Sequence, residues 1–466
     1  MLSRRRRLGL PRHLSLLFLG VWAVSCAGYA GNVRDMRHAL HADNPSTAID
    51  MVNRNLRVPD ADKYPKKMGS TQSLLLLERA ALLQGIGEYQ ASAMNFRVAE
   101  RHMEMLDVRR MPVGNISQWI FSGQSGIYRA PFYEKLMLSV LNMLNYLAIG
   151  DLENARVAAR RFYLTQSHLR DIGAARDAHL PFGSYLAGFV FEQSGRYEEA
   201  LQFYEEALRR RTFVGLPQAM INIAGCTTYR TSRLNELLSL DPDAPAASSC
   251  QQNAPPGYGT ILVVPAMGLA PHKVARRVPI GAAIVLAGVF LAPEVAANAN
   301  TLAVKGLLKW VNFPELVQAP PAFDTVSVQV NDALAPVEMG VDVSAQAVRA
   351  WQQVQGKLMA AAIVRMISRA LAGEATAHAV DSGSSTSGFG LLAQLLVEGA
   401  MTAADTPDTR SWNALPAGLF VSRAVVPAGT HRVVVRFSGR SGTHTVAMDA
   451  TVRPGGFAVL PLFTLR

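Results

Sequence analysis

Three groups of side chains have the types and spacings to do chemistry. Asp408, Arg410 and Trp412 bring a carboxylate, a guanidinium and an indole within five residues. Such a trio suits a ligand or partner patch, because Trp and Arg dominate binding hot spots. It also suits a structural corner, with Arg410 paired to a carboxylate and Trp412 packed beneath a strand expected near Leu419; the bracketing Pro407 and Pro416 make a rigid turn and favour the corner. Glu198, Glu199, Glu205 and Glu206 cluster their carboxylates, but Glu205 to Arg209 and Glu206 to Arg210 are i,i+4 pairs, so a solvated helix face accounts for them. His38 and His41 have the spacing of one helix face, with no third metal ligand nearby. HExxH, P-loop and GxSxG patterns are absent, as is a GxGxxG after a strand. Ser384–Ser387 lies in a Gly/Ser loop, where serine is common without being a nucleophile. The sequence therefore nominates no catalytic residue, no metal and no cofactor.

Cysteine chemistry is equally sparse. The three cysteines, Cys26, Cys226 and Cys250, are too few for a disulfide scaffold or a four-cysteine zinc site. In an oxidising compartment Cys226 and Cys250 could pair across a domain boundary; two buried thiols are the equal alternative.

Cys26 has a different setting. Arg4–Arg7 and Arg12 form a basic region, and Leu14–Val24 is an apolar run too short to span a bilayer but suited to a signal-peptide core. The run ends at Ala23-Val24-Ser25-Cys26, which resembles the lipobox of bacterial lipoproteins, with Ala23 where leucine is usual. The resemblance implies removal of residues 1–25 and acylation of Cys26, a stable membrane anchor. Ala27 follows it, which by the same analogy favours the outer membrane over inner-membrane retention. Secretion with cleavage near Ala27–Ala30 is the alternative.

Composition bounds the rest. Hydrophobic residues make up 49% and charged residues 17% of the 466, which excludes a wholly disordered chain. No series of ~20-residue apolar spans marks a polytopic membrane protein. The net charge is +11, but five of those charges are the arginines of residues 1–26, and no Lys/Arg stripe follows; nucleic acid is not an expected partner.

From Gly31 to about Leu234 apolar residues recur at three and four spacings, the helical period. A Pro-, Ser- and Asn-rich stretch follows, after which short β-rich runs appear at Thr260–Pro265, Thr325–Val330, Leu419–Val426, His431–Phe437, Thr443–Val452 and Phe457–Leu462. Helices are expected at about Ser344–Ala372 and Leu391–Ala404. Val278–Ala292 is the strongest apolar run after the leader; it is short for a span, and reads as a core helix or, alternatively, as a membrane-seated or partner-covered segment.

Within the helical half, Gly87-Glu88-Tyr89, Gly150-Asp151-Leu152 and Gly195-Arg196-Tyr197 each open an alanine-marked helix. The third, with Gly188, Phe191, Ala200, Tyr204 and Ala207, resembles a tetratricopeptide (TPR) repeat, though the spacing of the turns is irregular. Such hairpins stack and leave a groove that takes a peptide or partner helix.

Tyr128-Arg129 with Phe132–Arg161, Leu76–Gly87, Gly268–Lys273 and Asp408–Trp412 with Leu415-Pro416 together resemble a family of uncharacterised bacterial envelope lipoproteins. That resemblance implies a TPR-like N-terminal half and a smaller C-terminal domain, and supplies no activity. The expected organisation is a signal peptide at 1–25, a TPR-like all-α domain at 26–235, a linker at 236–256 and an α+β domain with a small β-sandwich-like sheet at 257–466. The expected role is a non-catalytic interaction scaffold, lipid-anchored on the periplasmic side of the outer membrane, with an envelope protein or peptide in its groove. Two other classes stay open: an envelope hydrolase using Asp408, Arg410, His431 or His444, and a secretion or pore component using 278–292 as a membrane element.

Overall fold

The computed structural model describes residues 28–102, 128, 130–171, 179–240, 250, 255–381 and 407–466. Cys26, the rest of the leader and the expected helix at Leu391–Ala404 lie outside the described residues. A helical N-terminal part is followed by an α+β part, as expected.

The helical part is built of hairpins. Helices α1 (Gly28–His41) and α2 (Pro45–Leu56), α3 (Ser70–Gly85) and α4 (Tyr89–His102), α5 (Phe132–Ala148) and α6 (Leu152–Asp171), and α7 (Pro181–Gln193) and α8 (Tyr197–Arg210) pack pairwise. Two shorter helices, α9 (Leu216–Ala224) and α10 (Ser232–Leu240), complete it. The glycines that opened the repeated sequence pattern turn three of these hairpins: Gly87, Gly150 and Gly195 have φ of 85°, 72° and 69°, a region other residues enter only with strain. Gly188 serves contact instead, since a Cβ there would lie 2.4 Å from the Tyr204 ring.

The α+β part holds two four-stranded sheets. The first has the order β10 (Phe457–Thr464), β1 (Tyr258–Leu269), β7 (Pro416–Pro427), β6 (Glu338–Asp342), with β1 and β10 parallel and the other pairs antiparallel. The second has the order β5 (Ala333–Ala335), β4 (Thr325–Val330), β8 (Gly429–Gly439), β9 (Gly442–Val452). Alternation along β1 explains its unbroken apolar run. Leu262, Val264 and Ala266 join the core of the helical part, whereas Ile261, Val263 and Met267 face Val433, Val435 and Phe437 of the second sheet.

A third, smaller core lies apart. Strands β2 (His272–Pro279) and β3 (Trp310–Val317) pair antiparallel and enclose α11 (Ile280–Ala287) and α12 (Pro293–Val304). Helix α14 (Gln355–Asp381), preceded by α13 (Val343–Gln352), closes it with Met359 and Ile363.

The inner face of the helical array is filled. The first helices of successive hairpins, α3 and α5, pack on β10, and α7 packs on β6. Phe189 meets Phe457 edge to face at 5.9 Å, and the Tyr89 hydroxyl donates to the Pro461 carbonyl at 3.0 Å. These helices thus pack on this chain's own sheet. The reason is physical: α5 and α7 are apolar nearly all round, and such helices are stable only when covered on every side.

Candidate functional site

The Asp408–Trp412 motif is the meeting point of the two halves. Asp408 Oδ1 accepts from the Arg410 amide at 3.0 Å, a local turn set up after Pro407. The same carboxylate takes Arg410 Nε at 2.9 Å and Nη2 at 2.7 Å, so the pair is bidentate and internal to the loop. Burial alone would raise the Asp408 pKa, but the Arg410 guanidinium outweighs it and holds the carboxyl below its ordinary value. Trp412 is fully buried, against Phe96 of α4 at 5.7 Å, and packs into the shared core rather than beneath β7 alone.

The backbone of this loop is held by two carboxylates from the helices. Glu78 of α3 accepts the amides of Asn413 at 2.7 Å and Ala414 at 2.6 Å, together with Asn413 Nδ2 at 3.1 Å. Glu134 of α5 accepts the Trp412 amide at 3.2 Å and the Tyr128 and Tyr133 hydroxyls. Burial raises the Glu78 pKa to about 7 and pushes Glu134 up as well. From α1, Tyr29 donates to the Ser411 carbonyl at 2.9 Å and Arg37 Nη1 to the Asn413 carbonyl at 3.2 Å. Lys273 of β2 donates through Nζ to the Arg410 carbonyl at 3.2 Å. The contacts from Tyr29, Arg37, Glu78, Glu134 and Lys273 tie separate elements to this loop, so the motif is a latch between helices and sheet.

A second buried clamp was not singled out by the sequence. Arg423 of β7 reaches Glu192 of α7 with Nη2–Oε1 at 2.5 Å and Nη1–Oε2 at 3.1 Å, and Nη1 lies 3.2 Å from the Tyr204 hydroxyl, which also donates to Glu192. Burial opposes the Arg423 charge, but Glu192 and then Tyr204 hold its pKa well above the ordinary value. The available signal was an acid inside an apolar helical run, as at Glu78, Glu134 and Glu192. An acid at such a position is buried and must find donors.

The remaining candidates separate. Cys226 and Cys250 form a disulfide, with Cα atoms 4.4 Å apart. His431 is bonded to the Pro427 carbonyl and Asn331, and His444 stacks on Phe437; both sit in the second sheet, held by partners other than Asp408 and Arg410. The expected solvated face on α8 is corrected in part. Glu205 is buried and accepts from Tyr229 and Thr231 of the segment before α10, and Glu206 accepts from Gln166 of α6 at 2.9 Å. No group of three or more metal-ligating side chains occurs among the described residues.

Two surfaces remain open. Between α6 and α8, the second helices of their hairpins, lies a cleft of about 560 Å³ lined by Arg160, Arg170, Arg209, Tyr163 and Phe203. Tyr163 is exposed and meets Phe203 edge to face at 5.9 Å, and Phe203 stacks on Phe191 at 5.4 Å. Arg196, Glu199 and Glu206 share the lining, and Arg170 and Arg209 act electrostatically on the Glu206 carboxylate. The other surface is the tip of the third core. Ile280, Ala283, Ala287 and Leu291 are buried there, but Val285, Leu286, Val289 and Phe290 face solvent, with Val289 95% exposed. No helix among the described residues is long and apolar enough to cross a membrane.

Comparison with known proteins gives no relative: no family model, no curated protein and no solved structure matches this chain.

Proposed function

We propose that this protein is a lipid-anchored, non-catalytic interaction scaffold of the bacterial envelope, held by acylated Cys26 on the periplasmic side of the outer membrane. In this reading its TPR-like hairpins present their second helices, not their inner groove, to a partner. The observation that carries it is the α6–α8 cleft, where Arg160, Arg170, Arg196 and Arg209 outnumber Glu199 and Glu206 around exposed Tyr163 and stacked Phe203. Arginine and tyrosine are the residue types of binding hot spots, and the charge selects an acidic segment of an envelope protein. The non-catalytic part is supported by the separate settings of Asp408, Arg410, His431 and His444, and by buried carboxylates whose oxygens accept structural donors.

The test is a photocrosslinking residue in place of Tyr163 in cells, with one in place of exposed Leu334 as control. A discrete adduct at 163 alone, lost in the Arg160→Glu/Arg170→Glu/Arg209→Glu chain, is expected; no adduct, or one indifferent to the charge reversal, refutes the surface. Membrane release of a Cys26→Ala chain tests the anchor separately.

A second reading keeps 278–292 as a membrane-contacting element. It is favoured by the outward face of α11 and the turn after it, where Gly281, Ala282, Val285, Leu286 and Val289 offer no polar side chain to water. The element is too short to span, so it would lie in the bilayer interface.

A further inference from the structure

Beside the latch, between α1 and β2, is a cavity of about 420 Å³. Among the described residues its polar lining is cationic or neutral: Arg34, Arg37, His38, His41, His272 and Lys273 contribute, and no Asp or Glu does. Arg37 is decisive. Its side chain is 5% exposed, its Nη1 is satisfied only by the Asn413 carbonyl, and its Nη2 is buried with no hydrogen-bond partner. His272 Nδ1, in the same wall, is likewise buried and unpartnered. A guanidinium buried against a neutral carbonyl is costly, because nothing replaces the water it has lost. Glu78 acts on Arg37 electrostatically, but its oxygens accept from Asn413 and Ala414 and make no bond to the guanidinium. Burial, and after it Arg37, lowers the pKa of His41 and takes His272 down to about 4.

We infer that this cavity is a binding site for a small organic anion, carboxylate- or phosphate-headed, whose oxygens accept from Arg37 Nη2. The volume fits a small molecule, and Val33, Val274, Ala275 and Ala319 give it apolar walls for the body of the ligand. Charge-assisted bonds to a buried guanidinium are the strong kind. The site is distinct from the α6–α8 cleft and does not depend on the role proposed for that surface.

The test is thermal unfolding of the full chain with acetate, hexanoate, inorganic phosphate and dihexanoyl phosphatidylglycerol, each against chloride at equal ionic strength. A bound anion raises the unfolding temperature with the logarithm of its concentration. Hexanoate or phosphate acting alone points to a free metabolite; the phosphatidylglycerol acting alone points to a lipid headgroup. Arg37→Met keeps the apolar stem and removes the charge. It is expected to weaken the anion response about tenfold or more; loss of its Asn413 bond to the latch is read separately, in the ligand-free unfolding temperature. His41→Glu, at the exposed mouth, places an internal carboxylate beside Arg37 and is expected to abolish the response in a stable chain. No response to any of the four anions, or a response that survives both substitutions, overturns the site.

Discussion

Replacing Arg423 by Met breaks the buried clamp from one side. The guanidinium and the Glu192 carboxylate are 7% and 0% exposed and joined by two hydrogen bonds, so neither side chain can turn to water when the other is removed. Methionine fills much of the space over the Phe189 ring, where the guanidinium now sits at 5.3 Å. The loss is therefore mainly electrostatic, about 3–5 kcal/mol for a buried partner left alone. That is a large part of the ~5–15 kcal/mol that holds a typical domain folded. In the variant, Glu192 stays buried without its cation. Urea unfolding followed by circular dichroism measures the loss. Adding Glu192→Leu to Arg423→Met should recover most of it, because the uncompensated charge is gone. A deficit below about 1 kcal/mol, or one that Glu192→Leu does not relieve, would refute the reasoning.

Glu78 has its folded pKa raised by burial from the ordinary 4.5 to about 7, so its protonation contributes stability that is complete below about 4.5 and lost as pH rises through about 7. In Glu78→Gln that part of the pH dependence should vanish, at a general cost of about 1–3 kcal/mol for the donors left unmatched; parallel stability curves from pH 5 to 7 would count against it. Gly188→Ala, normally stabilising in a helix, should instead cost about 1–3 kcal/mol, because its Cβ meets the Tyr204 ring; a higher melting temperature would contradict this. Cys226→Ser opens the disulfide-closed loop and should cost about 3 kcal/mol in denaturant titration, and the reduced wild type should show the same loss. Val289→Asp should leave stability within about 0.5 kcal/mol, since the side chain is 95% exposed. It should also lower retention on phospholipid vesicles if the tip meets a bilayer; unchanged retention removes that reading.

Much of the fold could be read locally, and little of the site could. The six β-rich runs all fall inside observed strands, and the three turn glycines mark hairpins, because alternation and positive φ are properties of short segments. Strands β2 and β3 escaped notice because HKVARRVP and WVNFPELV mix charge and proline into their pattern. Expectation and structure part over the inner face of the helices. Whether an apolar face meets a partner or a strand some three hundred residues or more downstream is a question of chain closure, which local periodicity does not encode. The Asp408–Trp412 loop could be found by its composition. Its carboxylate holders could not, since Glu78 and Glu134 come from distant helices and betray themselves only as acids in apolar runs.

The parallel pairing of β10 with β1 has a consequence for how this protein is made. Thr260 lies beside Phe457, so nearly two hundred residues must be synthesised before the first sheet can close. Until then α3 and α5 expose the apolar faces that β10 covers, and the Tyr89 hydroxyl lacks its Pro461 acceptor. Long-range closure of this kind is slow, and the open state is prone to aggregate. A chain halted before β10 therefore carries its own mark of incompleteness, a bare helical face that chaperones and proteases of the compartment can recognise. Folding and quality control are thus tied to the arrival of a single late strand.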